Sequence, residues 1–326
     1  MKNLASDKPV LCAGAVMADF IIPYSESKKY LAALAAGLNP ERNTKIRLQL
    51  GGTSGNSAYG LSQLGVPAVI MAKVGRDYQG KLLRDDMANC GVDASCIFFD
   101  DDHPTMMNVV VSEDGNRSMF IWPEEGSSLW NILPEDIPPD LISKIGWTHF
   151  CGASSELNPS GDTLCDLAEK CRAAGVTVSV DLNLRTECFG WSDEHQGHLQ
   201  RLIDASHIVF GSLKDEFPFF TPHPRDLVRE DRWVISRDGK NGSTLYTPDG
   251  EYSVGIYDLK VADTVGAGDC FNSGFIAAAV AGLSPEECLT WGNACGNYSV
   301  QFEGGHSGPD KATLLRFLEE KGVPKI

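Results

Sequence analysis

Two aspartates flank a short run of glycine and alanine in the last quarter of this sequence. In VADTVGAGDCFNSGF (261–275), Asp263 and Asp269 lie on either side of the run Gly266–Gly268. After Asp269 the pattern becomes that of an apolar helix rich in small residues, which places the glycines at a helix amino terminus. The first N–H groups of a helix have no internal partner and carry the positive end of its dipole. The spacing therefore predicts a backbone pocket for an anion, with an acid in the first helical turn.

An acid next to an anion pocket suits the transfer of a phosphoryl group. Backbone donors can stabilise the charge of a γ-phosphate, while the Asp269 carboxylate accepts the proton of an attacking hydroxyl. The alternative is structural: the glycines form a tight turn, and an acid in the first turn is favoured by the helix dipole. Because short glycine motifs often occur by chance, this segment alone leaves both interpretations open.

A second glycine-rich segment favours the chemical interpretation. In LGGTSGNSAYGLSQLG (50–65), Gly51 and Gly52 precede a predicted helix of small residues. Asn56 lies in the first turns of that helix, where its side-chain amide can both donate and accept hydrogen bonds. Bare backbone beside one amide suits a ligand that carries several hydroxyl groups.

The elements that position these residues follow from the apolar pattern. Runs of apolar residues bounded by turn residues alternate with helix-length segments, which is typical of a parallel sheet with helical crossovers. The predicted strands lie at 9–16, 68–75, 148–154, 176–183, 207–212 and 232–237, and the clearest helices lie at 55–65, 79–91 and 160–175. For 326 residues, we expect a single α/β domain over 1–326 rather than two.

Two segments interrupt this alternation. Residues 17–50 and 104–125 contain strand-like runs outside the main pattern, and the second has a hairpin, MNVVV and SMFIW, joined through SEDGNR. We expect them to form a small antiparallel lid over the carboxyl ends of the parallel strands, where α/β proteins bind their ligands. Trp122 and Trp130 lie in or just after this lid, where an aromatic ring could stack on a sugar.

Composition excludes several classes of function. The formal charge is −16, with 28 Lys and Arg against 44 Asp and Glu, so binding to nucleic acid through its phosphates is not expected. The ten cysteines form no C-x-x-C pair, which fits buried thiols in a reducing compartment. We find neither a signal-peptide pattern nor an apolar run long enough to span a membrane, and therefore expect a cytoplasmic protein.

The two glycine segments together resemble the paired motifs of the ribokinase-like (PfkB) carbohydrate kinases. The carboxy-terminal motif matches position by position, from Asp263 through the glycine run to Asp269 and on to Ser273-Gly274. The amino-terminal motif matches at Gly51, Gly52, Asn56, Ala58, Gly65 and Gly75, and departs at Ser54, where the family usually has a smaller or cyclic residue. The order of elements agrees from about residue 9 to 310. The resemblance implies a three-layer α/β sandwich with a mainly parallel central sheet and a small antiparallel β lid.

The resemblance also implies a role for individual residues. The implied catalytic residues are the general base Asp269 and the oxyanion site of Gly266, Ala267 and Gly268. The implied sugar-binding residues are Asp19, Gly51, Gly52, Asn56 and Arg185, the last belonging to the Asp-x-Asn-x-Arg stretch in SVDLNLR (179–185), although a surface salt bridge would also account for it. The residues implied to bind ATP are Asn183, Ser212, Lys214, Arg237, Gly239, Gly242, Gly268 and Asn293.

Metal binding is implied with one departure. The family's Asn-x-x-Glu element, associated with Mg²⁺ and phosphate, corresponds to GSLKDEF (211–217), where Glu216 is present and the Asn is missing. Asp263, Ser299 and Gly304 lie in the region that would hold a monovalent cation such as K⁺. The lid often makes a dimer contact in relatives, which implies a homodimer.

The leading hypothesis is an ATP-dependent kinase that phosphorylates a hydroxyl of a sugar or sugar acid, of the ketodeoxygluconate, fructose or ribose type. One alternative is a nucleoside kinase on the same scaffold. Another is a non-catalytic sugar-binding or regulatory protein that retains the fold.

Overall fold

The computed structural model describes residues 4–39, 47–113, 116–123 and 125–323. The strands in this part of the chain are β1 (Val10–Ala13), β2 (Met17–Pro23), β3 (Arg47–Gly51), β4 (Ala68–Gly75), β5 (Asp93–Asp100), β6 (Met107–Glu113), β7 (Asn116–Trp122), β8 (Trp147–Cys151), β9 (Thr177–Asp181), β10 (Ile208–Ser212), β11 (Trp233–Arg237), β12 (Ser243–Tyr246) and β13 (Glu251–Val254). The α-helices are α1 (Tyr24–Ala35), α2 (Thr53–Gln63), α3 (Tyr78–Asn89), α4 (Leu141–Lys144), α5 (Ser160–Ala173), α6 (Thr186–Phe189), α7 (Asp193–Ala205), α8 (Ala267–Val280), α9 (Pro285–Ser299) and α10 (Lys311–Glu320).

A nine-stranded sheet forms the centre of the protein, in the order β13-β12-β11-β10-β9-β8-β1-β4-β5. All pairs from β11 to β5 run parallel, and the edge strands β12 and β13 pair antiparallel. Each of the six predicted strands overlaps one of the parallel strands, so the prediction of a mainly parallel sheet is confirmed. Parallel pairing brings the carboxyl ends of these strands to one edge of the sheet, where the loops that follow them meet.

Helices cover both faces of this sheet. Successive residues of β1 point to opposite faces, so that Val10 and Cys12 join one buried cluster while Leu11 and Ala13 join the other. Helices α2, α3, α8, α9 and α10 pack against the first face, and α4, α5 and α7 pack against the second. The predicted three-layer α/β sandwich is therefore confirmed.

A separate four-stranded sheet has the order β3-β2-β6-β7. Its two outer pairs are antiparallel, as expected for the lid, whereas the central pair β2–β6 is parallel. The reason is the long connection between these strands. The chain contributes β4 and β5 to the main sheet before it returns, so that β6 can run in the same direction as β2.

Helix α1 lies between β2 and β3, in a segment whose sequence predicts antiparallel strands and for which no helix is predicted. Of the predicted lid pieces 17–50 and 104–125, residues 40–46, 114–115 and 124 lie outside the described residues. That the small sheet acts as a lid stays a prediction.

The ten cysteines are free thiols, and eight of them are buried. This agrees with the expectation of buried thiols. Within the described ranges, we find no helix whose length and apolar character would allow it to cross a membrane.

Candidate active site

The glycine run lies at the amino terminus of α8, as predicted. Gly266 caps the helix in the left-handed conformation with φ 72°, and a Cβ there would lie 2.7 Å from Cα of Gly305, so only glycine fits. The N–H of Ala267 makes a long bond of 3.3 Å to the Thr264 carbonyl. Within the part of the chain that the structure describes, the N–H groups of Gly268 and Asp269 have no acceptor. The end of α8 therefore retains backbone donors for a ligand.

Small residues bring helix α2 against α8. Ser273 donates to the Ser57 carbonyl at 3.0 Å, and a Cβ on Gly60 would lie 2.5 Å from the Ser273 hydroxyl. This close approach places Asn56 of α2 beside Asp269 of α8. The side-chain amide of Asn56 donates to Oδ2 of Asp269 at 2.8 Å. The two glycine motifs, remote in sequence, thus meet through a side-chain hydrogen bond.

Asp269 lies in an environment that disfavours its charge. The residue is only 5% exposed, and this burial raises the pKa of its carboxyl to about 7. The charge of Asp181 also raises this pKa. The hydrogen bond from Asn56 and the charges of Arg185 and Arg237 lower it. A carboxylate with a pKa near neutrality suits a general base, because it can take up a proton readily while remaining partly ionised.

An ion pair next to Asp269 involves residues whose partners the sequence did not reveal. Arg237, predicted to bind ATP, makes a bidentate contact with Asp181, with Nη1–Oδ2 at 3.0 Å and Nη2–Oδ1 at 2.5 Å. Asn272, a fully buried residue of α8, also donates to Asp181 at 2.7 Å. The Arg237 guanidinium further donates to the Gly268 carbonyl at 3.2 Å. The pair therefore ties the ends of β9 and β11 to the first turn of α8.

Glu216 lies at the edge of the same network. Its carboxylate accepts from the backbone N–H groups of Ser212 at 2.6 Å and Leu184 at 3.2 Å, and it lies 3.9 Å from Arg237. Burial, followed by the charge of Asp181, raises the pKa of Glu216. The carboxylate thus joins the loops that follow β9 and β10.

Asn183 and Arg185, in the loop after β9, both adopt left-handed backbone conformations, with φ 38° and 50°. Such conformations are strained for residues other than glycine and are frequent at functional sites. Oδ1 of Asn183 is buried without a hydrogen-bond partner in the described chain. Arg185 is exposed and forms a loose ion pair with Glu187 at 3.7 Å. Its guanidinium can therefore reach a ligand at the mouth of the site.

The predicted sugar site lies where β2 and β3 meet the main domain. A Cβ on Gly51 would collide with the Asp19 carboxylate, so Asp19 lies directly over the Gly51 backbone. A Cβ on Gly52 would lie 2.5 Å from the Ala15 carbonyl, which shows how closely the two segments pack. Asp19, Gly51 and Gly52 are thus brought together, as predicted.

The predicted nucleotide loop follows β11. Gly239 and Gly242 form its turn, and Lys214 pairs with Asp238 of this loop at 2.6 Å. Asn293 is buried, donating to the Gly255 carbonyl at 2.8 Å and accepting from Ser243 at 3.4 Å. The side-chain nitrogen and oxygen of Asn293 are therefore both hydrogen-bonded within the protein.

The residues assigned to a monovalent cation have partners of their own. Asp263 accepts from the N–H groups of Val265 at 3.1 Å and Gly304 at 3.0 Å, and Ser299 donates to the Gly296 carbonyl at 2.9 Å. In the described chain, no cluster of three or more His, Cys, Asp or Glu could hold a metal ion. Any cation here would need backbone carbonyls for part of its coordination.

The structure does not support sugar stacking on the two tryptophans. Trp122 pairs with Met107, whereas Asn108 pairs with Asp19, so Trp122 and Asp19 point to opposite faces of the small sheet. Trp130 is buried and packs edge-on against Phe189.

Comparison with known proteins gives consistent matches along the chain. Residues 7–312 match the family described as pfkB family carbohydrate kinase. The chain is 29% identical to the ATP-dependent ribose-1-phosphate kinase of Halopiger xanaduensis, over 83% of this chain and 87% of the relative. It is 24% identical to the 5-dehydro-2-deoxygluconokinase of Shouchella clausii, over 87% and 90% respectively. The solved structure of a fructokinase with bound ATP from Xylella fastidiosa has a TM-score of 0.82 at 20% identity, covering 97% of this chain and all of that one. This last likeness shows a shared fold.

Proposed function

The chain belongs to the pfkB family of carbohydrate kinases, and we propose that it transfers the γ-phosphate of ATP to a hydroxyl of a sugar or sugar acid, with Asp269 as general base. The observation that carries this proposal is the pairing of a buried carboxylate, whose pKa is about 7, with backbone donors at the start of α8. The contacts of Arg237 with Asp181 and with the Gly268 carbonyl, which join the ends of β9 and β11 to the start of α8, support this proposal.

Each group in the site has a task in this proposal. Asp269 accepts the proton of the sugar hydroxyl as the hydroxyl oxygen attacks the γ-phosphorus of ATP, and the bond from that phosphorus to the β–γ bridging oxygen breaks to release ADP. The N–H groups of the Gly266–Gly268 segment and of Asp269 stabilise the charge on the transferred phosphoryl oxygens. Asp19 and the backbone of Gly51 and Gly52 hold other hydroxyls of the sugar, so that the reacting one lies close to Asp269.

Mg²⁺ fits the remaining residues. The buried unpartnered Oδ1 of Asn183 and the nearby Glu216 carboxylate are oxygen donors of the kind that Mg²⁺ and its bound waters prefer. When bound, the ion neutralises charge on the ATP phosphates. Asn183, Ser212, Lys214, Gly239 and Gly242 would then border the nucleotide.

The substrate class that we favour is a sugar or sugar acid rather than a nucleoside. Stacking on an aromatic ring is a common way to bind a nucleobase, but Trp122 lies on the face of the small sheet opposite Asp19 and Trp130 is buried. Arg185 is exposed at the mouth of the site and could form a bidentate pair with a carboxylate or phosphate of the substrate.

A panel experiment tests the proposed function. Sugars, sugar acids, sugar phosphates and nucleosides are screened by thermal shift, and those that bind are assayed for ADP formation with ATP and Mg²⁺. We expect transfer to at least one sugar or sugar acid. Transfer to nucleosides alone would establish the nucleoside kinase alternative, and binding of sugars without transfer from ATP would establish the non-catalytic one.

Asn56→Ala is expected to move the acid limb of the pH profile upward. The Asn56 amide favours the ionised form of Asp269, and a hydrogen bond to a charged group contributes about 1.5–3 kcal/mol. Its loss should raise the pKa of Asp269, and with it the acid limb of kcat/KM, by about one to two pH units. The sign follows because catalysis needs the deprotonated base, so activity falls below its pKa.

The measurement is kcat/KM against pH for the wild type and for Asn56→Ala. The exposed Asn89 at the end of α3 provides a matched control as Asn89→Ala. An acid limb that stays in place in Asn56→Ala would show that this hydrogen bond does not set the proton affinity of the base.

We also propose a homodimer formed through the exposed part of the small-sheet face that is opposite Asp19. Phe120, Trp122 and Leu48 share that face by strand register and are 59%, 52% and 44% exposed. Phe120→Asp is expected to convert a dimer into a monomer in sedimentation velocity, because it places a charge in the centre of an apolar contact. Leu315→Asp, at an exposed position on α10, is the control. A monomeric wild type would refute the dimer.

A further inference from the structure

Asn108 is a buried polar residue whose side-chain oxygen has no hydrogen-bond partner in the part of the chain that the structure describes. It lies in β6, the residue is 9% exposed, and its Oδ1 is a buried oxygen that accepts no hydrogen bond from the described residues. Buried amide groups in folded proteins are nearly always hydrogen-bonded, because desolvating them without a partner is unfavourable. An unpaired amide at this position therefore needs a reason outside the fold itself.

Strand register shows what Asn108 faces. Residues directly opposite each other in a sheet point to the same face, and Asn108 is opposite Asp19, which is in turn opposite Gln49. Gln49, Asp19 and Asn108 thus form a polar row across β3, β2 and β6. On the fourth strand the row ends at the apolar Ile121, which packs against a small cluster that includes Trp130.

The polar row lies on the side of the small sheet that is close to Asn56 and Asp269. A Cβ on Gly304 would collide with the Gln49 amide, and a Cβ on Gly305 would lie 2.5 Å from Oδ1 of Asn56, the residue that contacts Asp269. The backbone of Gly304 and Gly305 therefore lies between the polar row and the catalytic carboxylate. The opposite face of the same strands is apolar and carries Phe120 and Trp122.

The composition of the row matches a polyhydroxylated ligand. A hydroxyl both donates and accepts, a carboxylate accepts, and an amide does both, so each member can bind a separate hydroxyl. Adjacent strands lie about 4.8 Å apart, so the three side chains extend over roughly 10 Å, which is more than one hydroxyl can satisfy. The apolar Ile121 marks where the polar part of the ligand ends.

We propose, building on the sugar kinase function above, that Asn108 is a specificity-determining residue that binds a sugar hydroxyl remote from the one that is phosphorylated. Asp19 binds the neighbouring hydroxyl, and the unpaired Asn108 amide completes the pocket for a substrate with enough hydroxyls to reach it. Shorter or deoxygenated sugars leave this amide unpaired and are discriminated against.

The test uses Asn108→Leu, which keeps the volume and removes the hydrogen-bonding groups. If the residue serves the ligand and not the fold, the variant without ligand should melt no lower than the wild type, because an unpaired buried polar group has been removed. Its affinity for the best sugar of the panel, measured by calorimetry, should fall about tenfold. The deoxy analogue that lacks the contacted hydroxyl should bind both proteins alike.

Asn297→Leu is the matched control for stability, because the Asn297 amide is hydrogen-bonded at both ends, donating to the Asn293 carbonyl and accepting from the N–H of Tyr257. That variant should melt below the wild type. If Asn108→Leu melts equally low, or binds the sugar as tightly as the wild type, the proposal is wrong. Sugar binding without phosphate transfer would overturn the kinase function and leave Asn108 as a sugar ligand, whereas a wild type that binds no sugar would overturn both.

Discussion

Asp269→Asn is expected to lower kcat by about 10²–10⁴ while ATP binding stays nearly unchanged. Asparagine keeps the shape of the side chain and can still meet Asn56, but it cannot accept the proton of the attacking hydroxyl. Loss of a general base typically has an effect of this size. The measurements are kcat from ADP formation and the ATP dissociation constant from calorimetry.

Stability against pH provides an independent check on Asp269. Its folded pKa of about 7 lies above the value of about 3.9 for an exposed aspartate, so between these values the folded state binds more protons than the unfolded state. The free energy of unfolding contributed by this group therefore falls as the pH rises from about 4 to 7. Asp269→Asn removes that dependence and should be relatively more stable than the wild type above pH 7.

Asp310→Asn, at the exposed cap of α10, controls for the loss of one negative charge far from the site. It should leave kcat and the change of stability between about pH 4 and 7 unchanged, because the hydrogen bond from the Thr313 N–H lowers the pKa of Asp310 and its own effect on stability lies below that window. Normal turnover by Asp269→Asn would remove the general-base assignment, and with it the mechanism built on this residue.

The features predictable from sequence are those that depend on local pattern. Strands buried on both faces give long apolar runs, and a glycine run followed by an apolar helix pattern indicates a helix amino terminus, so the sequence predicts the parallel sheet and the start of α8 at their positions. The small sheet is harder to predict from the sequence. Helix α1 has weak amphipathic character and lies in a segment flanked by strands. The parallel pair β2–β6 joins two strands that are separated along the chain by three others.

The contacts that set the chemistry are mostly non-local. Nothing near Arg237 in the sequence indicates that its guanidinium pairs with Asp181, a residue from a different strand end. The hydrogen bond from Asn56 to Asp269 likewise depends on the close packing of α2 and α8 through Gly60 and Ser273. A signal existed in the small residues of both helices, which predict close approach but not which side chains meet. The sequence does not show that Asn108 lies opposite Asp19 with an unpaired side-chain oxygen, because this depends on strand register and burial.

Arg237→Met is expected to be strongly destabilising. The guanidinium is largely buried against Asp181, and removal of one partner leaves an uncompensated buried charge, which typically costs about 3–5 kcal/mol of unfolding free energy. Chemical denaturation of the wild type and the variant measures this loss. Arg237→Lys should recover only part of it, because an ammonium cannot reproduce the bidentate contact.

The double variant Arg237→Met/Asp181→Asn separates the ion pair from simple loss of packing. If the unpaired carboxylate causes the damage, neutralising it should make the double variant more stable than Arg237→Met alone, so that the two effects are far from additive. Equal losses in the single and double variants would instead assign the effect to the packing of the Arg237 side chain.

The same ion pair also affects catalysis, because Arg237 lowers the pKa of Asp269 and Asp181 raises it. Arg237→Met should therefore shift the acid limb of activity upward, and the double variant should return it toward the wild-type position, because both charges act on the same carboxylate.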